Sequence, residues 1–191
     1  MFKNAERKAV PPAVLIASIL QFLLGATFVI VAANGARFGR GAQSAAETEV
    51  SRQGFPTTVL TRSRIDFGAG RASVVVAVCI GLCLVALAAL NLTGNGTGQI
   101  LSWIVQSLIF VLGCLIMPGE VFLVRGIEST FKKSGDPALR SIDVKALVDA
   151  AVGAVPAWSR YVIAARFVLA TVGSVLVIVL LMIPSASAHF G

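Results

Sequence analysis

The 191-residue chain is 57% apolar and 13% charged, with a mean hydropathy of +0.88, which excludes an ordinary water-soluble domain, where about a quarter of residues are charged. Sixteen Lys and Arg against nine Asp and Glu give a net charge of +7. The basic residues fall between apolar tracts, with no interleaved aromatics or zinc spacing, which points away from nucleic acid and towards the anionic lipid head groups of a cytoplasmic leaflet.

Three tracts contain no Asp, Glu, Lys or Arg: 9–36, 72–119 and 167–191. Stretches of this kind belong in lipid, where about 20 helical residues cross the hydrocarbon core. The first tract predicts one span over 13–33, because Pro11 and Pro12 are tolerated only in its first turn and Asn34-Gly35 reads as a stop. Lys3, Arg7 and Lys8 before an apolar run also suit a secretory signal, but the run is long for one and lacks a small-x-small cleavage pattern, so retention is expected. The following segment, 34–72, is rich in Gly, Ala, Ser, Thr and Arg, and predicts an irregular loop with one short helix around 45–52.

The second tract is too long for one helix and is interrupted by Gly, Asn and Thr over 91–98, which predicts a tight hairpin of two spans, 73–90 and 100–124. Asn91 and Asn95 each begin an Asn-x-Thr pattern, and turn chemistry accounts for both. Segment 125–160 carries Asp136-Pro137, which reads as a helix N-cap and first position, and then an apolar stripe of Val144, Val148, Val152 and Val155. It predicts an amphipathic helix lying at the membrane surface. A fourth span, 161–183, ends at Pro184. The expected fold is an all-α integral membrane protein, a single domain over 1–191: a four-transmembrane-helix bundle with an interfacial amphipathic helix between the third and fourth spans.

Charge asymmetry orients such spans. Segment 34–72 holds six arginines and 125–166 holds seven Lys and Arg, whereas the 92–99 turn and the residues after Ile183 hold none. Both basic loops, 34–72 and 125–160, are expected on the cytoplasmic side of the cell membrane. That places the N-terminus outside with three positive charges, against the local balance of the first span. A first segment that folds back without crossing would put it inside and leave the rest unchanged. Trp158 and Tyr161 at one end of the fourth span, and Trp103 near the other end of the third, suit the two interfaces.

Each span has a glycine near its centre, Gly25, Gly81, Gly113 and Gly173, and small residues allow helices in lipid to approach closely. Glu120 follows Met117-Pro118-Gly119, where proline removes a helix hydrogen bond. It is the candidate ion-pair or transport residue, with Arg125 or Arg166 as partner. Gln21, Gln106 and Ser107 suit hydrogen bonds between helices, although no span shows a continuous polar face. Cys79, Cys83 and Cys114 read as small hydrophobes. With the one histidine, His189, far from them, no metal site is expected. The chain has no His-x-x-x-His, no Gly-x-Ser-x-Gly and no phosphate-binding glycine loop, so neither catalysis nor a cofactor is expected. The function expected is that of an accessory or scaffold subunit of a bacterial envelope assembly, with lipid and a membrane-protein partner or a second copy as its contacts. The alternative is a small transporter or channel subunit using Glu120.

Overall fold

A computed structural model describes residues 10–190, with the side chains of 117–121 and 138 outside the description. The charges at Lys3, Arg7 and Lys8 therefore lie outside the described residues. Four helical stretches are long and apolar enough to cross a membrane: Pro12–Arg52, Arg71–Leu92, Gly96–Ile116 and Ser159–Met182.

Helix α1, Pro12–Arg52, begins as its sequence dictates, with Pro12 at the first position and the Leu15 amide donating to the Pro11 carbonyl at 3.0 Å. It does not stop at Asn34-Gly35. The helix continues to Arg52, which replaces the expected loop start and short helix by one element of 41 residues. The reason is long-range. A Cβ at Gly35 would come within 2.7 Å of the Ala69 Cβ, and one at Gly39 within 2.9 Å of the Gly68 Cα. These glycines are the floor on which the returning chain lies. The Gln43 Oε1 accepts from the Phe67 amide at 3.0 Å, and the Asn34 Nδ2 donates to the Ser159 Oγ at 3.1 Å. The stop comes at Gly54, whose φ of +86° suits glycine. There the Gly54 amide donates to the Ser51 carbonyl and the Phe55 amide to the Val50 carbonyl, a Schellman ending in which Phe55 also packs against the core around Val50.

Helix α2, Thr58–Arg62, is a single short turn within the return loop. Helix α3, Arg71–Leu92, and α4, Gly96–Val121, form the expected hairpin. Its turn repeats the same ending at Gly94, with φ +72° and the Asn95 amide donating to the Leu90 carbonyl. The Asn95 Oδ1 then accepts from the Thr97 amide at 2.9 Å and opens α4. The chain breaks at Phe122 (φ −106°, ψ 45°) and resumes as α5, Leu123–Lys133.

Asp136-Pro137 does not open the next long helix. It leads into a single 3-10 turn, Ala138–Ser141, and the N-cap of α6, Val144–Gly153, is Asp143, whose carboxylate accepts from the Ala146 amide at 2.9 Å. The apolar stripe of α6 packs chiefly on the protein itself. Val144, Leu147, Val148 and Ala151 are buried together with Ala42, Ala46 and Val50 of α1, Val59 and Leu60 of α2, and Ile127 and Phe131 of α5, while Val152 is exposed. An amphipathic stripe states that a helix must cover one face, not what covers it. Here α1 supplies the cover. These pieces make a compact module at the basic end of the molecule.

The last long stretch is α7, Ser159–Val168, and α8, Ser174–Met182, joined through a π turn at Leu169–Gly173. Arg166, Ala170 and Ser174 are all buried. A spacing of four drifts round a helix of 3.6 residues per turn, and the wider turn takes up the drift. A short helix α9, Pro184–Phe190, folds back so that a Cβ at Gly94 would come within 2.8 Å of the His189 carbonyl oxygen. In the packing, α1 runs along α3 on one side and along α7 and α8 on the other, and α4 closes against α3 and α8.

Candidate functional site

The apolar helices bury a set of uncharged polar side chains between them. On α4, Gln99, Ser102 and Gln106 recur at spacings of three and four and so share a face. All three are buried. The Gln21 Nε2 of α1 donates to the Ser102 Oγ at 3.0 Å. The Asn91 Nδ2 of α3 donates to both the Gln21 Oε1 and the Ser102 Oγ, each at 2.8 Å. Three helices are thus tied at one point. One turn deeper, the Ser174 Oγ of α8 donates to the Gln106 Oε1 at 2.9 Å; one turn back towards the hairpin turn, the Gln99 Nε2 donates to the Leu181 carbonyl at 2.8 Å, satisfying an acceptor near the end of α8. In lipid such interhelical bonds are worth about 0.6 to 2 kcal/mol each. The Ser18 Oγ, Asn91 Oδ1 and Gln106 Nε2 lie buried along the same seam without a hydrogen-bond partner among the described residues.

Of the side chains expected to bond between helices, Gln21 and Gln106 do so. Ser107, one residue round from Gln106, is exposed. Ser102, Gln99 and Ser174 belong to the seam as well, and so does Asn91, whose side chain, expected to serve the turn, is instead buried between the helices. The spacing of Gln99, Ser102 and Gln106 was the available signal, and it gives α4 a polar face over that half of its length.

The central glycines divide between two contacts. A Cβ at Gly25 would come within 2.7 Å of the Gly81 carbonyl oxygen, and one at Gly81 within 2.8 Å of that of Gly25. These two backbones cross in direct contact. Gly113 faces Ala170, whose Cβ would be 3.3 Å away, and Gly173 lies inside the π turn, where an added Cβ meets ordinary contacts at 3.5 Å and beyond. Leu24, Phe28, Leu84, Ile109 and Ala170 fill the layer between the helices at this level.

The candidate ionisable residues have different surroundings. The Glu120 side chain lies outside the described residues. Arg166 is 6% exposed, with its Cζ 5.3 Å from the centroid of the Phe28 ring. Arg125 is exposed, its Cζ 5.8 Å from the Phe122 centroid. It lines an open cleft of about 760 Å³ where α5, α6 and α7 meet. Cys79, Cys83 and Cys114 are free and face outward, and no group of three or more His, Cys, Asp or Glu gathers among the described residues.

Together these features define an all-helical protein with four helices long and apolar enough to span a membrane, tied internally by carboxamides and hydroxyls. Comparison with protein-family models, with curated proteins and with solved structures gives no match.

Proposed function

We propose that the protein is a multi-pass bundle of the bacterial cell membrane that works by association, as an accessory or scaffold subunit of an envelope assembly. In this reading both basic segments face the cytoplasm, and the hairpin turn between α3 and α4 faces outward. The observation that carries it is the module at the basic end. Its core, from Ala42 and Val50 of α1 to Phe131 and Leu147, is separate from the layers between the long helices, and its surface carries exposed Arg37, Arg40, Arg62, Arg64, Lys132, Lys133 and Arg140. Two elements bring it rigidity. Helix α1 enters it without a break, and the Gln53 side chain joins the end of α1 to the start of α6. An ordered, basic platform beside a membrane is suited to an acidic partner surface.

The same reading accounts for the seam. Gln21, Asn91 and Ser102 are bonded chiefly to one another, which ties three helices together.

The test is affinity purification from native membranes. A stoichiometric partner is expected, and its recovery should fall when Arg37, Arg40, Lys132 and Lys133 are replaced by Ala together. Purification of the protein alone, combined with proton-coupled flux in liposomes that Glu120→Gln abolishes at normal abundance, would replace this reading by the transporter.

A further inference from the structure

The cleft at the basic end has a chemistry different from both the seam and the module surface. Its walls are apolar, with Phe122, Val152 and Ile163 among them, and its lining carries three ionisable groups: Arg125, Arg160 and Glu128. Two guanidiniums and one carboxylate leave one net positive charge. The Arg160 Nη2 donates to the Tyr161 hydroxyl at 3.0 Å, with its Cζ 4.9 Å from that ring's centroid, and Arg125 rests beside Phe122. Both guanidiniums are therefore steadied against aromatic rings at the edge of the cleft.

The position of the cleft along the molecule is equally informative. Phe122, Trp158 and Tyr161 are all about half exposed or more, and they lie where the apolar helices α4 and α7 give way to the basic segments. Exposed aromatic rings next to arginines mark the depth at which acyl chains meet head groups. A volume of about 760 Å³ falls within the roughly 300 to 1,000 Å³ of small-molecule sites. An apolar slot at that depth, with a cationic mouth, has the two halves of a phospholipid site.

We propose that the cleft holds one anionic phospholipid of the phosphatidylglycerol type, with an acyl chain against Phe122, Val152 and Ile163 and the phosphate between Arg125 and Arg160. A monoanionic head group matches the single net charge; a zwitterionic one leaves it uncompensated, and Glu128 disfavours head groups of higher negative charge. The inference rests on the membrane reading above and adds a specific lipid to it.

The experiment uses the full chain, reconstituted in vesicles of phosphatidylcholine containing a minority of phosphatidylglycerol and then released into detergent for native mass spectrometry. One retained phosphatidylglycerol per chain is expected. Replacing Arg125 and Arg160 together by Ala should reduce that retention by roughly tenfold or more, as expected for the loss of two arginine contacts to an anionic lipid, with melting temperature measured in parallel. Replacing Lys132 and Lys133 by Ala removes the same charge from the same end of the molecule but not from the cleft, and should leave retention unchanged. The wild-type preference for phosphatidylglycerol over phosphatidylcholine is a second readout that does not depend on any variant folding. Equal retention of both lipids, or an equal loss in the Lys132 and Lys133 variant, would overturn the site while leaving the membrane reading intact. A chain that fails to float with vesicles of either composition would overturn both.

Discussion

Gln53, one residue beyond α1, serves two chain ends at once. Its Oε1 accepts from the Asp143 amide at 2.8 Å, and its Nε2 donates to the Asp143 carbonyl at 3.2 Å and to the Glu49 Oε1 at 2.8 Å. Glu49 in turn accepts two bonds of 2.7 Å from Arg52. The Arg52 guanidinium first, and the Gln53 carboxamide second, hold the Glu49 carboxyl at about 2, below its usual 4.5. A carboxyl depressed on folding contributes stability that is complete above its unfolded value and disappears as pH falls through the folded one. The module should therefore lose this contribution between about pH 4.5 and pH 2. The measurement is melting temperature in detergent across that range for the wild type and Glu49→Gln. The two should differ at neutral pH and converge near pH 2; curves that stay parallel would show that Glu49 does not couple to folding. The bridge from Gln53 to Asp143 was not legible in the sequence, since the two are ninety residues apart, whereas Glu49 and Arg52, three apart on one helix, form a local pair.

Among the helices, the crossing of α1 and α3 at Gly25 and Gly81 is the closest described approach of two central glycines. A side chain at Gly81 meets the Gly25 carbonyl oxygen and the Val29 Cγ2, at 2.8 and 2.7 Å from its Cβ alone. Overpacking of this kind costs about 1 to 3 kcal/mol. Gly81→Leu should lower the melting temperature in detergent, whereas Gly41→Ala, where nothing lies within 4 Å of the new Cβ, should leave it unchanged or raise it through helix propensity worth up to about 1 kcal/mol. Equal melting of Gly81→Leu and the wild type would disprove the close crossing. The contrast also shows what could be read in advance. The apolar spans were legible because absence of charge over some twenty residues is a local property. Gly35 was not, because a glycine that ends a helix and one that receives another segment look alike in sequence, and Ala69, which decides between them, lies 34 residues away. The same holds for Asp136, expected as the cap: Asp143 caps α6 instead, and what favours it is the packing of Leu147 and Val148 against α1.

For the molecule as a whole, the expected asymmetry is between the charge-free hairpin turn and the basic module. Single cysteines placed at exposed positions, Thr97→Cys in the turn and Ser44→Cys and Ser134→Cys in the module, in a background without Cys79, Cys83 and Cys114, should respond oppositely to an impermeant thiol reagent applied to intact cells. Thr97→Cys should label and the other two should not. Labelling of Ser44→Cys from outside would reverse the proposed orientation. At 1.5 Å per residue the 41 residues of α1 extend about 60 Å, roughly twice the thickness of a hydrocarbon core, and the helix takes part both in the core of the module and in the layers between the long helices. With its apolar half in a bilayer, as proposed, the helix would act as a lever with its fulcrum at the bilayer surface. In that placement a change of tilt of about 10° in the apolar half, small against the roughly 0 to 40° over which spanning helices tilt, would sweep the far end through about 5 Å. Gln53 and Asp143 would travel with that end, so that in the proposed placement a change in the thickness of the surrounding lipid would displace the module's outer surface.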